Sequence, residues 1–304
     1  MVCTLSAACE TKMHISKIDV SFIVVDYNAF LPLQRLIDTI REKTKDISYE
    51  IIVVDNSKHT RQSFSQKNYP DIKYILNSKN LGFSKAVNIG IRHSKGRYVL
   101  LLNPDTRLKN NVALLLAQFL DHHQNVGIVG GKILNDDGSI QFSCRSFPSY
   151  KTAFFNRYSL LTRIFPKNKY STEYINPINS YNESAEVDWL SGSGMMVRKQ
   201  ALETLGLFDE NFFMYCEDVD VCHRMKLLGW KVAYYPESVI YHTIGESSSH
   251  NKIKAIVERH KSMWTYYKKY FNRRKATDTI IWLGIVSRCI FHLIIALFQY
   301  PFVK

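Results

Sequence analysis

The 304-residue sequence predicts an α/β fold, in which a mostly parallel, Rossmann-like sheet is flanked by helices and followed by a helical C-terminal extension. Two observations support this prediction. Short apolar runs that suit buried strands alternate with segments whose apolar residues recur at helical spacing. Each apolar run also ends at polar residues, as strands do where the carboxyl edge of a parallel sheet forms a binding site.

The order of the elements follows from these patterns. Strands are predicted at 20–25, 50–54, 72–76, 98–102, 126–131, 195–197, 231–235 and 239–242. Helices are predicted from apolar positions that span 31–40, 86–91, 108–120, 221–228 and 253–271. Residues 135–185 are less regular and rich in aromatic side chains and Asn, so we expect loops and a variable insertion there. Alternation of strand and helix favours a parallel sheet with right-handed crossovers.

The chain is expected to have three parts. Residues 1–17 lack a basic start and a long apolar segment, so they are a poor signal peptide and are expected to form a disordered extension. Translation starting at Met13 is an alternative. Residues 18–250 hold the alternating elements, and residues 251–304 hold the C-terminal helices. The six cysteines form no Cys-x-x-Cys pair and no disulfide framework, which fits a reducing cytosol.

The positive charge is concentrated in the C-terminal part. The sequence has a net charge of +13, and residues 251–304 carry eleven Lys/Arg against two Asp/Glu, which is +9. The preceding 250 residues carry 29 against 25, which is only +4. This distribution argues against a nucleic-acid-binding core. It favours a tail that lies near an anionic membrane surface.

The tail also contains the longest apolar stretch of the chain, residues 279–303. It is interrupted by Arg288, His292 and Gln299, whose spacing places them on one helical face. That pattern fits a helix lying in the membrane interface, although the length would permit spanning. The alternative is a C-terminal helical hairpin packed on the domain or on a second subunit, as in a homodimer.

The first candidate site residue is Asp105, in the stretch Leu102-Asn103-Pro104-Asp105-Thr106. Pro104 cannot donate to a strand ladder, so the apolar strand before it ends here. Asp105 is therefore expected at the carboxyl end of a central strand, where open α/β sheets place their ligands. A carboxylate at that position suits a hard divalent cation and the phosphates that the cation neutralises. The alternative is a plain turn and helix cap.

Two further strand ends carry residues that suit a nucleotide. Asp55 follows its strand directly, as a carboxylate that contacts a ribose or a base edge would. Gly82 permits close approach of the backbone, and the helix after it points free N–H groups toward an anion. No Gly-x-Gly-x-x-Gly or Walker motif is present, which excludes ordinary dinucleotide-binding and P-loop proteins. A plain turn remains an alternative for Asp55.

Three features in the second half complete the candidate site. Trp189 lies beside glycines and, if exposed, could stack on a sugar face; a core tryptophan beside a tight turn is the alternative. Glu217, Asp218 and Asp220 precede a helical pattern, where crowding can raise one pKa and produce a usable base. Helix capping is their structural alternative. His242 heads a polar loop and could reach a metal ion, although a lone His after a strand is usually structural.

Taken in order, these strand ends resemble the motifs of family 2 glycosyltransferases, which have the GT-A fold. The most similar branch is the bacterial rhamnosyltransferase-like one. The resemblance covers about residues 18–250, and seven weak motifs in the right order make it specific. The motifs are Asp26-Tyr27-Asn28, Asp55-Asn56-Ser57, Asn80-Leu81-Gly82-Phe83, Leu102-Asn103-Pro104-Asp105-Thr106, Trp189-Leu190-Ser191-Gly192, Glu217-Asp218-Val219-Asp220 and His242.

The resemblance implies a role for each candidate residue. Asp218 would be the catalytic base, and Asp105 with His242 would hold Mg²⁺ or Mn²⁺. Residues implied for the donor nucleotide are Tyr27, Asn28, Asp55, Asn80, Gly82 and Asn103. Residues implied for the acceptor or the sugar are Trp189, Gly192, Glu217 and Asp220. Two positions depart from the family pattern: Asp26 replaces the usual Thr or Ser, and Asn103 replaces the first Asp of the metal motif.

The implied activity is an inverting transfer from a nucleotide sugar to an acceptor hydroxyl. The form of the metal motif suggests L-rhamnose from dTDP-L-rhamnose as the donor and a lipid-linked or polysaccharide acceptor in bacterial cell-surface glycan synthesis, such as O-antigen. A UDP-hexose or UDP-N-acetylhexosamine donor is the alternative within the family, and a non-catalytic nucleotide-sugar-binding module is the alternative of another class. A nucleotidyltransferase would need a basic loop after the first strand, where Asp26-Tyr27-Asn28 stands. The expected location is the cytoplasmic face of the bacterial inner membrane, with no nucleic acid as partner.

Overall fold

The computed structural model describes residues 18–57, 69–149, 178, 180–243, 252–271 and 275–299. The extension 1–17, much of the predicted insertion and residues 244–251 lie outside the described residues. The strands are β1 Val20–Asp26, β2 Tyr49–Asp55, β3 Ile72–Leu76, β4 Tyr98–Leu102, β5 Thr106–Leu108, β6 Val126–Leu134, β7 Ile140–Gln141, β8 Cys144–Arg145, β9 Ala185–Glu186, β10 Trp189–Leu190, β11 Gly194–Arg198 and β12 Lys231–His242. The helices are α1 Phe30–Lys43, α2 Phe83–His93, α3 Val112–His122, α4 Lys199–Leu205, α5 Glu217–Leu227, α6 Lys252–Phe271 and α7 Lys275–Gln299.

The predicted α/β architecture with a central sheet is confirmed. The main path of the sheet runs β3-β2-β1-β4-β11-β6-β12-β5. β1 pairs in parallel with β2 and β4, β2 with β3, and β12 with β6. β11 is antiparallel to both β4 and β6, so the sheet is mixed at its centre.

Helices cover both faces of this sheet, which explains the continuous apolar runs in its strands. In β1, Ile23 and Val25 belong to one buried core, whereas Phe22 and Val24 belong to the core on the opposite face. Successive side chains of a strand point to opposite faces, so both sets must be apolar when both faces are covered. These buried apolar residues hold the parallel strands in register, so the carboxyl ends of the strands lie at one edge of the sheet.

Two element boundaries differ from the sequence prediction for local reasons. The helix predicted over 108–120 begins at Val112, because the side chain of Asn111 caps it by accepting from the Leu114 N–H and because β5 occupies 106–108. The strands predicted at 231–235 and 239–242 are one strand, β12, whose register shifts between Tyr235 and Val239. Pro236 lies in that interval and lacks the N–H that a regular ladder uses.

The C-terminal helices pack as an antiparallel pair, with α6 against the sheet domain. The Ser262 hydroxyl donates to the Met214 carbonyl at 2.8 Å, and Tyr266 is buried. The Tyr267 hydroxyl contacts Asp278 at 3.0 Å near the turn, and the His260 and His292 rings lie 5.3 Å apart farther along. The C-terminal helices thus form a hairpin that packs on the domain of the same chain, which was the alternative given for the tail.

The other side of α7 is apolar and exposed. Phe291, Leu297 and Phe298 are 59%, 60% and 74% exposed. The segment Lys275–Phe298 is long and apolar enough to cross a membrane by length and composition. His292, on the predicted polar face, is turned toward α6, so part of that face is covered by protein.

Candidate active site

A cleft of about 370 Å³ opens at the carboxyl edge of the sheet. It forms there because β1 and β2 are in parallel register, with Asp26 beside Asp55, and Leu102 of β4 lies beside Val24. Nine of the predicted site residues line it: Tyr27, Asn80, Gly82, Asn103, Asp105, Gly192, Glu217, Asp218 and His242. Four do not line it: Asn28, Asp55, Trp189 and Asp220.

The ends of β1, β2 and β3 are joined by side-chain hydrogen bonds. The Asn56 amide donates to the Gly82 carbonyl at 3.0 Å, and its oxygen accepts from the Asn77 side chain at 2.9 Å. Asn56 also lines the cleft, although only its neighbour Asp55 had been assigned a role from the sequence. It fixes the loop that precedes α2, and its position after a buried strand was the signal that could have identified it.

Asp55 lies just behind this end of the cleft. One carboxylate oxygen accepts from the Ser57 N–H at 2.6 Å, and the other accepts from the Tyr74 hydroxyl. The Asn28 N–H donates to the Ser57 hydroxyl at 2.8 Å. Asp55 and Asn28 therefore shape the two loops after β1 and β2 and do not line the cavity.

Asp26, which departs from the family pattern, has an unusual electrostatic environment. Burial, and next the adjacent Asp55 carboxylate, raise the pKa of Asp26 from 3.8 to about 6. Its Oδ1 accepts from the Ala29 N–H at 3.0 Å, which links it to the start of α1. Folding therefore makes Asp26 harder to ionise than it is in the unfolded chain.

This environment predicts a pH-dependent stability effect of Asp26→Asn. A carboxyl group whose pKa is raised by folding stabilises most below its ordinary pKa, and that stabilisation is lost as the pH rises from about 4 through about 6. At pH 7.5 the ionised Asp26 costs the folded wild type about 3 kcal/mol, from a pKa shift of about two units. Asp26→Asn avoids this cost and keeps the acceptor oxygen for the Ala29 N–H, so we expect its free energy of unfolding to be higher by about that amount. At pH 4 the gap should nearly close.

Chemical denaturation at both pH values measures this difference. The matched control is Asp38→Asn, which removes an exposed carboxylate on α1 and keeps Asp26 in place. A wild-type protein that gains stability relative to Asp26→Asn as the pH rises would contradict the assignment.

Gly82 is required by its surroundings. Its φ is +88°, and a Cβ there would lie 2.6 Å from the Phe213 carbonyl oxygen. The Phe83 N–H donates to that same oxygen at 2.6 Å. The start of α2 is thus held against residues 212–216, the loop that leads into α5.

Asp105 and His242 meet because β5 pairs with β12. Thr106 lies beside His242 in that antiparallel pair, and the Thr243 N–H donates to the Asp105 carbonyl at 3.0 Å. The His242 Nε2 lies 3.3 Å from Asp105 Oδ1 and 3.5 Å from the Asn103 side-chain nitrogen. Residues distant in sequence thus form one group in the middle of the cleft.

Gln141 of β7 sets the tautomer of His242. Its side-chain nitrogen donates to Asn135 Oδ1 at 3.0 Å and to the His242 carbonyl at 3.3 Å, so its oxygen faces His242 Nδ1 at 2.7 Å. Nδ1–H then donates to Gln141, and in the neutral ring Nε2 keeps its lone pair toward Asp105. Sequence reasoning missed Gln141, which lies in the segment predicted as loop.

A carboxylate oxygen and an imidazole nitrogen on one wall are donors that fit a divalent cation, and this pair suits Mn²⁺ at least as well as Mg²⁺. Among the described residues, no group of three or more His, Cys, Asp and Glu side chains converges. A cation bound by Asp105 and His242 would therefore complete its coordination with oxygens of a bound phosphate and water.

The three carboxylates at the start of α5 point into different environments, as expected for neighbouring positions on a helix. Asp218 lines the cleft and is partly exposed. Its two oxygens accept from the N–H groups of Val219 at 2.9 Å and Gly192 at 3.3 Å. Burial raises the pKa of Asp218, and these two N–H groups counter part of the rise.

Glu217 also lines the cleft but is 8% exposed. Burial and the charge of Asp218 raise the pKa of Glu217 well above its ordinary value. Its Oε2 is buried without a hydrogen-bond partner among the described residues. The structure thus favours a neutral Glu217 beside an ionisable Asp218.

Asp220 was predicted either to bind the acceptor or to position Asp218, and its contacts fit the positioning role, because it does not line the cleft. Its side chain is fully buried away from the cleft, and its Oδ2 accepts from Arg224 at 2.7 Å. Its Oδ1 lies 2.7 Å from Lys269 Nζ and accepts from the Tyr270 hydroxyl at 2.8 Å. Asp220 therefore fastens α5, which carries Asp218, to α6.

The predicted exposed platform at Trp189 is wrong, and the core alternative is correct. Trp189 is 8% exposed, belongs to the core on one face of the sheet, and donates its indole N–H to the Ser146 carbonyl at 2.9 Å. The Arg145 guanidinium lies 5.5 Å from its ring centroid. Trp189 supports the wall behind Gly192.

The cleft also has a wall that the sequence did not reveal. Phe213 and Tyr215 from the loop before α5 line it, together with Lys254, Glu258 and Arg259 from α6. Tyr215 has a φ of +70° and Cys216 a φ of +62°, so two consecutive residues occupy the left-handed region just before Glu217. The basic face of α6 was the signal that could have identified the helical part.

The cleft thus holds the Asp105 carboxylate, the His242 imidazole and the Asp218 carboxylate at the carboxyl edge of a central α/β sheet, where open α/β sheets bind their ligands. The family model described as "Glycosyltransferase like family 2" matches residues 19–267. The chain belongs to this glycosyltransferase family, as its motifs had suggested.

Characterised relatives agree in class. The chain is 28% identical to "N-acetylglucosaminyl-diphospho-decaprenol L-rhamnosyltransferase" of Mycobacterium tuberculosis (strain H37Rv), over 80% of this chain and 82% of the relative. It is 27% identical to "Rhamnosyltransferase WbbL" of Escherichia coli (strain K12), over 71% of this chain and 80% of the relative.

Solved structures share the GT-A fold. Staphylococcus aureus TarS has a TM-score of 0.53 and 17% identity, over 89% of this chain and 43% of that one. The mannosyltransferase PcManGT of Pyrobaculum calidifontis, "in complex with GDP-Man and Mn2+", has a TM-score of 0.52 and 16% identity, over 91% of this chain and 74% of that one. The chain thus spans less than half of the TarS chain.

Proposed function

We propose that the protein transfers L-rhamnose from dTDP-L-rhamnose to a hydroxyl of a lipid-linked or polysaccharide acceptor in bacterial cell-surface glycan synthesis. One observation carries the proposal. Asp218, with its raised pKa, faces the same cleft as the Asp105–His242 pair, so a base and a diphosphate-binding group share one cavity.

The proposed reaction is a single displacement at the anomeric carbon. Asp218 accepts the proton of the acceptor hydroxyl while the hydroxyl oxygen bonds to the anomeric carbon. The bond between that carbon and the diphosphate oxygen breaks on the opposite face, and its electron pair leaves with the nucleoside diphosphate. The anomeric configuration is inverted, and no covalent nucleophile is required.

The leaving diphosphate needs its negative charge neutralised. Asp105 and His242 would hold Mn²⁺ or Mg²⁺ against it, and the cation would supply that neutralisation when bound. Gln141 keeps the His242 lone pair available, and Gly82 lets the loop that contains Phe213 pack against the start of α2 beside the cleft.

The donor assignment rests on the relatives named as rhamnosyltransferases. The alternative, a UDP-hexose or UDP-N-acetylhexosamine, has its own support, since TarS has a structure "in complex with UDP-GlcNAc" with a TM-score of 0.53. The two donors can be separated by one panel. Purified protein with Mn²⁺, a polyprenyl diphosphate N-acetylglucosamine acceptor and each donor should release nucleoside diphosphate chiefly from dTDP-L-rhamnose.

Turnover of UDP-sugars with none of dTDP-L-rhamnose would refute the rhamnose assignment while keeping the transferase. Binding of donors without any acceptor-dependent turnover would favour a nucleotide-sugar-binding module. Asp218→Asn protein is the matched control, because it should remain folded and bind the donor.

We also propose that α7 attaches the protein to the cytoplasmic face of the inner membrane, beside lipid-linked acceptors. Its exposed apolar side chains and the net charge of +9 of residues 251–304 support the proposal. Arg288 interrupts the apolar stretch and favours attachment along the interface, although the length also permits spanning.

Ending the chain after Phe271 should release the protein from anionic vesicles and lower the rate of transfer to a lipid-linked acceptor. Transfer to a short soluble acceptor should change little, because α6 and its contacts with the cleft are retained. Vesicle sedimentation at low and high salt measures the first effect, and the two acceptor assays measure the second. Truncated protein that stays on vesicles at high salt would show that α7 is not the attachment.

A further inference from the structure

The wall of the cleft formed by α6 is cationic. Lys254 and Arg259 both line the cavity, five residues apart on one helix. The Lys254 ammonium lies 4.5 Å from the centroid of the Phe213 ring, and the Arg259 guanidinium lies 4.6 Å from that of Tyr215. Both cations are therefore placed by aromatic rings at the edge of the site.

Those rings belong to the loop that leads into the helix of the candidate base. Phe213 accepts the Phe83 N–H through its carbonyl, and the Ser262 hydroxyl of α6 donates to Met214. Farther along, the buried Asp220 joins α5 to Lys269 of α6. α6, the helix that carries the two cations, is thus fixed relative to the helix that carries Asp218.

An acidic residue on the same wall does not cancel this charge. Glu258 also lines the cleft, but its carboxylate is paired with Lys261 at 2.9 Å and its side chain is 15% exposed. The wall therefore keeps a net positive character suited to an anion with more than one charge.

The position of α7 indicates where such an anion would come from. Contacts Tyr267–Asp278 and His260–His292 show that α6 and α7 run antiparallel. From His260 to Lys254, and likewise from His292 to Phe298, each helix advances six residues, or about 9 Å. The exposed apolar end of α7 therefore lies at the level of the cationic wall.

We propose that Lys254 and Arg259 bind the diphosphate of a lipid-linked acceptor, whose hydrocarbon chain leaves along the exposed face of α7. This rests on the proposed glycosyltransferase function. The inference adds the residues that bind the acceptor's diphosphate, which joins its sugar to its lipid. The diphosphate of the donor has the same chemistry, and the experiment separates the two sources.

Calorimetry with farnesyl diphosphate as the probe measures the site directly in the full-length protein. Lys254→Ala/Arg259→Ala should bind this probe roughly tenfold or more weakly, since each cation makes a charge-assisted contact. Lys252→Ala/Lys275→Ala removes the same charge from exposed positions that do not line the cleft and should bind normally. Glu258→Gln should bind farnesyl diphosphate more tightly than the wild type does. Lys254→Arg/Arg259→Lys keeps both positive charges and should bind it about as tightly as the wild type.

A second titration uses dTDP with Mn²⁺, whose affinity should be unchanged in Lys254→Ala/Arg259→Ala. If dTDP binding weakens and farnesyl diphosphate binding does not, the lipid assignment is overturned in favour of the donor. If neither weakens, the site itself is overturned. Both titrations are read without turnover, so failure of the transferase proposal would appear separately, as absence of product with every donor.

Discussion

Asp218→Asn is expected to lower the rate of sugar transfer roughly a hundredfold or more, the usual scale for loss of a general base. Asn keeps the shape and the acceptor oxygen for the Val219 N–H, but it cannot take the hydroxyl proton. Binding of the nucleoside diphosphate with metal should be nearly unchanged, because Asp105 and His242 are intact. Steady-state kinetics and calorimetry on the same preparation separate the two quantities.

The pH profile adds a second readout for this residue. Because burial raises the pKa of Asp218, wild-type kcat/KM should fall as the pH drops through that raised value, when the carboxylate becomes protonated. Asp218→Asn should lack this acidic limb in its residual activity. An unchanged limb would assign it to another group, such as Glu217.

Neighbouring carboxylates supply matched controls. Glu217→Gln should retain most activity if Glu217 is already neutral. Asp220→Asn should lower stability, since it breaks the buried contacts with Arg224 and Lys269, but folded protein should keep measurable transfer. If Asp218→Asn transfers normally while Asp220→Asn is folded and inactive, the base has been placed on the wrong carboxylate. If both are active, the general-base mechanism fails.

Asp105→Ala is expected to lose most activity while the protein stays folded. Asp105 follows β4, is 7% exposed and lies 3.3 Å from the His242 imidazole. Its removal takes away one of the two side chains proposed to bind the metal ion. Binding of Mn²⁺ in the presence of dTDP should weaken strongly, by electron paramagnetic resonance or calorimetry. This readout does not depend on turnover.

The control for Asp105→Ala is Asp136→Ala. Asp136 bonds to Arg107 and Thr243 near the same strands but does not line the cleft. It should leave Mn²⁺ binding unchanged. Full wild-type activity in excess chelator would refute a metal role for Asp105, whatever the variant does.

The strand ends could be predicted because the chemistry there is local. The bounds of β3 and β4 agree with the sequence prediction. β4 is an unbroken buried apolar run that a polar residue ends, whereas β3 is a half-exposed edge strand that contains Lys73. Asp105 and His242 were each found by this rule. Their contact was not predictable in detail, because it depends on the pairing of the three-residue strand β5 with β12.

The failures share a cause, which is packing between segments distant in sequence. Asp220 looked like part of an acidic cluster, but Lys269 and Tyr270 of α6, about fifty positions later, bury it. Trp189 beside glycines looked exposed, yet the residues around Ser146 cover it. Lys254 and Arg259 belong to the basic tail in sequence, but the packing of α6 makes them line the cleft.

The configuration of the transferred sugar tests the central claim most directly. Full-length protein, Mn²⁺, dTDP-L-rhamnose and a polyprenyl diphosphate N-acetylglucosamine acceptor are incubated, and the product is examined by NMR at the new glycosidic bond. Displacement assisted by Asp218 predicts that the anomeric configuration is opposite to that of the donor. Retention of the donor configuration would contradict the account, as would the absence of product with this and every other donor tested.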